Sequence, residues 1–157
     1  MEQLNCIKEF SETILEALGS HYKEHIYVSA MCIHLRNNNF LFGNEVIVPI
    51  MYQGVQLGYE RADIIIYEPV KCVIEFKAQT QSLSKKELNQ LIKYQNNMDI
   101  QYGILINFGH TSGKLEYVFN EKKGETETET ESKTSSNEIE SITQGITDLN
   151  KSTITID

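Results

Sequence analysis

The sequence predicts an α/β sandwich built on a central mixed sheet, with elements in the order α-α-β-β-β-α-β. Three observations lead there. Apolar residues recur at helical spacing as far as Asn37. A stretch rich in β-branched residues and broken by turn signals then runs from Phe40 to Ala78. Last, a capped helix gives way to the unbroken apolar run "YGILINFG".

Leu4, Ile7, Phe10, Ile14, Leu15 and Leu18 mark one face of a first helix that stops before Gly19. A second helix is expected from about Tyr22 to Asn37, with Glu24, Tyr27, Val28, Met31 and Leu35 on one stripe. Turn signals at Gly43-Asn44, Gln53-Gly54 and Glu68-Pro69 divide the next segment into a meander of about three strands. "SKKE" at Ser84–Glu87 is a capping box, and Leu88, Leu91, Ile92 and Met98 form the buried side of the helix behind it. "YGILINFG" reads as a strand buried on both faces and parallel to a neighbour. Strand, helix and strand in that order imply a right-handed crossover. "KLEYVF" adds an edge strand.

A chain of 157 residues, 40% hydrophobic, suits one core-bearing domain over residues 1–120. Residues 121–157 read as an acidic tail rich in Glu, Thr and Ser, too poor in apolar groups to offset its chain entropy and so expected to be disordered. That tail holds nine acids and four lysines of a chain whose net charge is -8. The body is therefore only mildly acidic, which neither suggests nor excludes a polyanionic partner. No run approaches the ~18 apolar residues of a membrane span, and "MEQLNCIKEF" lacks a signal-peptide pattern. Three cysteines with no CxxC suit reduced thiols. The expectation is an intracellular protein, neither secreted nor membrane-bound.

The chemistry concentrates in "RADIIIYEPVKCVIEFKAQ", Arg61–Gln79. Residues two apart share a face of a strand, so Glu75 and Lys77 point one way while Ile74 and Phe76 point the other. A turn centred near Pro69 brings Asp63 within about one residue of Glu75 across the hairpin. Two carboxylates so placed repel unless something positive lies between them. Lys77 is a partial answer, and a divalent cation held by hard oxygen ligands a fuller one. An ordinary solvated surface pair explains the same spacing, so the hairpin does not decide by itself.

Its surroundings add to it. "HYKEHIY", "VPIMYQGVQLGYERADIII", "VIEFKA", "QLIKYQ" and "GILINFG", in that order from about Leu18 to His110, resemble the GxxExxY proteins of the PD-(D/E)XK nuclease superfamily. The resemblance implies a restriction-endonuclease-like αβββαβ fold and hydrolysis of nucleic-acid phosphodiester bonds with Mg²⁺ or Mn²⁺. It implies Asp63 and Glu75 as metal ligands, Glu24 as the helix carboxylate completing the set, Lys77 as the catalytic lysine and Gln90 as a further catalytic residue. Tyr94 lies one turn after Gln90 on the same face, and Arg61 and Tyr27 also match family positions. The glycine that opens the family motif is His21 here, which puts the helix start in doubt. Small nucleases of this type often pair, so a homodimer is a further expectation.

Other patterns compete less well. His21, Glu24 and His25 spell H-x-x-E-H, a zinc-protease pattern if all three lie on one helix. Cys32 and His34 diverge on a helix, and His110 reads as a loop residue. No phosphate-binding glycine loop and no serine elbow is present. A second function class stands beside the nuclease: a catalytically inactive binding or adaptor module that keeps the fold.

Overall fold

A computed structural model describes residues 2–122 of the chain. The acidic-tail reading falls almost wholly outside the described residues. The elements are α1 (Glu2–Leu18), α2 (Glu24–Asn37), β1 (Leu41–Tyr52), β2 (Val55–Glu68), β3 (Cys72–Lys77), α3 (Lys85–Asn97), β4 (Tyr102–Asn107) and β5 (Glu116–Glu121). The strands form one sheet in the order β1-β2-β3-β4-β5, with β3 and β4 parallel and the other neighbours antiparallel. This is the expected mixed α/β sandwich, with β5 as the edge strand.

Strand alternation sends side chains into two cores. Ile64, Ile74, Phe76, Ile104 and Ile106 pack with α1 and α2 on one face of the sheet. Ile65, Val73 and Leu105 pack with Leu91 and Tyr94 of α3 on the other. Each fully buried Ile or Leu contributes about 1.5–3 kcal/mol, and both faces of β3 and β4 are paved with them. That is why these two strands read as continuous apolar runs. α3 starts at Ser84, whose hydroxyl accepts from the Lys86 N–H while Glu87 reaches back to the Ser84 N–H at 2.8 Å. The capping box is formed as its sequence required.

Three local expectations change. α2 begins at Glu24 rather than Tyr22. After Gly19, at φ +71°, the chain bends at Ser20 and Tyr22 before the extended Lys23 cap, so His21 lies outside the helix. Gly43-Asn44 is no turn but lies within β1. The irregularity belongs to the next residue, Glu45, at φ +50°. On α3 the most buried residues are Leu91, Tyr94 and Gln95, with Leu88 and Met98 packed more shallowly.

Candidate active site

The site is made where β2 and β3 part. Their paired residues are Ile66–Cys72, Ile65–Val73 and Ile64–Ile74, and the next position would set Asp63 against Glu75. There the two side chains replace the ladder. The Asp63 N–H donates to Glu75 Oε1 at 3.2 Å, and the Phe76 N–H donates to Asp63 Oδ2 at 2.8 Å. Alternation breaks at the same point: Ala62 faces the α3 core while Ile64, two residues on, faces the α1/α2 core. The hairpin geometry expected from the sequence is present, and the parting of the strands comes with it.

Glu75 is 2% exposed, so it is not a solvated surface carboxylate. Lys77 Nζ lies 3.5 Å from Glu75 Oε2, on the same side of β3 as the alternation required. Burial pushes Glu75 up to about 8, the nearby Asp63 charge adds to this, and Lys77 opposes it. Asp63 is also raised, chiefly by burial, against the lowering effect of the Phe76 N–H and Lys77. Asp63 Oδ1 takes no hydrogen bond among the described residues and is not sealed from solvent. A pair of carboxylates whose charged form is this costly fits a site that receives a cation.

Glu24 comes from the first turn of α2, where the helix dipole favours an acid. It is half-buried and raised by desolvation, with Lys77 lowering and Asp63 raising it. Its charge thus interacts with both. Its helix end is anchored by Tyr27, fully buried, whose ring stacks on Phe108 at 4.3 Å. The Tyr27 hydroxyl donates to the Gly19 carbonyl at 2.8 Å and accepts from the Tyr22 N–H at 3.1 Å. Phe108 in turn donates its N–H to the Lys77 carbonyl at 2.9 Å. Next to it Gly109 lies so close to the Ala78 backbone that any Cβ would collide.

Gln90 and Tyr94 are brought to the same region from α3. Gln90 Nε2 donates to the Tyr94 hydroxyl at 2.9 Å, which donates to the Arg61 carbonyl at 3.2 Å. Tyr94 thereby holds β2 just before Asp63, and Gln90 reaches β2 only through it. Arg61 pairs in the open with Glu45, 3.2 Å away. The Glu45 charge also raises Asp63. Sequence reading passed over Glu45. Its signal was the unusual Gly-Asn-Glu inside a strand, which resembled a turn.

Among the described residues no group of three or more His, Cys, Asp or Glu side chains is gathered tightly enough to hold a metal ion. His21 and His25 are both exposed, and with His21 outside α2 they do not share a helix face. Mg²⁺ sites commonly use one or two carboxylates, with water and substrate oxygens for the rest. Asp63 and Glu75 fit that donor set. His110 bonds Ser82 at 3.0 Å and Ser112 at 2.7 Å, and so fixes two loops. No described helix is long and apolar enough to cross a membrane.

No curated protein sequence matches. The chain is similar to a solved structure titled "Crystal structure of SSO0001", at 22% identity and a TM-score of 0.48, over 63% of this chain and 50% of that one. It thus spans about half the length of that structure. The model of the PD-(D/E)XK nuclease superfamily matches residues 2–118, which include the αβββαβ frame, Asp63 and the Glu75-x-Lys77 strand. Membership supports a nuclease-like function, in a superfamily that generally uses divalent metals on nucleic acid. With nearly the whole described body covered by that match, the chain belongs to the PD-(D/E)XK nuclease superfamily.

Proposed function

We infer that the protein is a GxxExxY-type nuclease that hydrolyses phosphodiester bonds of DNA or RNA with Mg²⁺ or Mn²⁺. One observation carries this reading: the pairing of Asp63 with the buried Glu75, and Lys77 beside them, where β2 and β3 separate. Asp63 and Glu75 would hold the cation, with Glu24 contributing directly or through water. When bound, the cation supplies Lewis-acid polarisation and lowers the pKa of water. Lys77 orients the attacking water and offsets charge gathering on the phosphate. Gln90 and Tyr94 keep β2 in place, so Asp63 meets the phosphate at a set position. An intracellular setting and a 1–120 catalytic body followed by an acidic tail belong to the same proposal.

The test compares wild type with Asp63→Ala and Lys77→Ala on DNA and RNA, each with Mg²⁺ or Mn²⁺. Loss of cleavage in both variants is expected, and cleavage surviving in both would sink the assignment. The second reading is a catalytically inactive binding module that keeps the fold. Calorimetric titration separates the two readings. Mg²⁺ or Mn²⁺ uptake that disappears in Asp63→Ala supports the nuclease, and no uptake by the intact site supports the module.

A further inference from the structure

The surface around Asp63 continues onto the ribbon that β1 and β2 form beyond it. Val48 and Ala62 belong to the α3 core, and Glu60 pairs with Lys93 of α3 at 2.6 Å. Strand alternation therefore turns Tyr59 and Arg61 to the other face of the ribbon. Their cross-strand neighbours there are Pro49 and Ile47. Among the described residues this face is bare: Tyr59 is 62% exposed and Ile47 57%.

The same face opens on the candidate site. Glu24 lies on α2, which packs on the side of the sheet away from α3, and its charge acts on Asp63 and Lys77. The carboxylates are thus approached from the side that Arg61 and Tyr59 share. Glu45 joins the two regions, because its carboxylate meets Arg61 at 3.2 Å and its charge also reaches Asp63. Arg61 and Tyr59 lie two and four residues before Asp63, about 7 and 13 Å along the strand. Successive phosphates of an extended nucleic-acid strand are spaced at similar intervals.

Arg61 is held loosely. A single contact ties it to Glu45, and both side chains are at least 60% exposed. An exposed pair of this kind adds little, and a phosphate taken bidentate is the stronger partner. No Asp or Glu occurs from Val46 to Tyr59 to oppose a polyanion beyond it. Tyr59 adds an open aromatic ring, on which bases stack whatever their sequence.

Composition also selects the form of the strand. A two-stranded ribbon fits the major groove of a duplex, but docking there relies on phosphate contacts. No Lys or Arg occurs from Val46 to Tyr59 to make them. In a duplex each base face is taken by its neighbours, whereas an unpaired strand offers a base to Tyr59.

We propose that the substrate is a single strand of nucleic acid laid along this face of β2. One phosphate meets the Asp63–Glu75 pair, the next is held by Arg61 in place of Glu45, and a base beyond it stacks on Tyr59. This deepens the nuclease reading and rests on it for nucleic acid as the ligand.

The test is fluorescence anisotropy of the full chain with a labelled oligonucleotide of about twelve nucleotides. It is offered single-stranded or annealed to its complement, without divalent metal so that both stay intact. The single strand is expected to bind about tenfold more tightly than the duplex. Tyr59→Ala should lose about tenfold on the single strand, and Tyr59→Phe should keep wild-type affinity. Arg61→Ala with Glu45→Ala keeps the net charge. It should weaken binding and lower the slope of log affinity against log salt by about 0.7. Unchanged circular dichroism guards against misfolding. A duplex bound as tightly as the single strand overturns the proposal, as does a single-strand preference that survives Tyr59→Ala. So does a salt slope unchanged in the double variant. Binding of neither form, as when a second copy or another segment takes the face, overturns it as well. The two readings fail separately. Cleavage of duplex and single strand at equal rates with Mg²⁺ keeps the nuclease and overturns this inference. Single-strand binding that depends on Tyr59, without any cleavage, supports this inference and overturns the nuclease.

Discussion

Asp63 and Glu75 each satisfy a backbone N–H of the other's strand. Glu75 accepts from Asp63 at 3.2 Å, and Asp63 accepts from Phe76, next to Glu75, at 2.8 Å. The two carboxylates therefore close the end of a sheet pairing and also form the centre of the candidate site. Structure and chemistry rest on the same atoms, and the consequences below can be measured separately.

The first concerns pH. Glu75 keeps its proton up to about 8 in the folded chain, against 4.5 for an ordinary glutamate. Between those values the folded state binds more protons than the unfolded one, so stability falls as pH rises through that window and levels off above it. Asp63, also raised, adds in the same direction. Urea midpoints without divalent metal are expected to be lower just above pH 8 than near pH 6. Glu75→Gln should flatten the profile, and Mg²⁺ or Mn²⁺ should restore wild-type stability at the alkaline end. A profile equally steep in Glu75→Gln would contradict this.

Asp63 can be probed for its structural share. Asp63→Asn and Asp63→Ala both remove the charge, but only asparagine keeps an oxygen for the Phe76 N–H. Alanine is expected to be less stable than asparagine by about 1–3 kcal/mol, the cost of a buried unpaired donor. Both variants should lose divalent-metal binding. Denaturant unfolding and calorimetry read the two effects independently.

Tyr27→Phe tests the anchor of Glu24. The ring can stay stacked on Phe108, but the Gly19 carbonyl and the Tyr22 N–H lose their shared partner. A loss of about 1–3 kcal/mol is expected, with faster amide exchange at Tyr22 than in wild type. Unchanged exchange there would show that the hydroxyl does not hold the chain ahead of α2.

Tyr94→Phe removes the donor to the Arg61 carbonyl and strands the Gln90 amide. The expected cost is about 0.5–1.5 kcal/mol. Gln90→Ala, which leaves the bond from Tyr94 to Arg61 in place, should cost less. If the order is reversed in urea unfolding, Gln90 has a structural role beyond the one seen here.

Much of the fold was legible because local rules and tertiary packing agree. The Ser84 capping box, the helical stripes of α1 and α2 and the doubly buried β4 follow from periodicities that the core then uses. The boundary of α2 was not legible. "HYKEHIY" continues a helical pattern, yet the Tyr27 hydroxyl takes the backbone of Gly19 and Tyr22 and keeps the chain out of the helix up to Lys23. Glu45 was missed because its approach to Asp63 depends on one residue at positive φ inside a strand, and β-sheet periodicity carries no mark of that.

By itself the sequence determined which side of β3 carries Glu75 and Lys77, that Asp63 would arrive opposite them, and the order of the elements around them. Strand alternation and a turn centre suffice for that. Only the tertiary structure decided that Glu75 is buried rather than solvated, that β2 and β3 part at these residues, and that their pairing covers only Ile64–Ile66 of β2. Those outcomes depend on what packs against each face and which backbone groups find partners. These are properties of elements far apart in the chain.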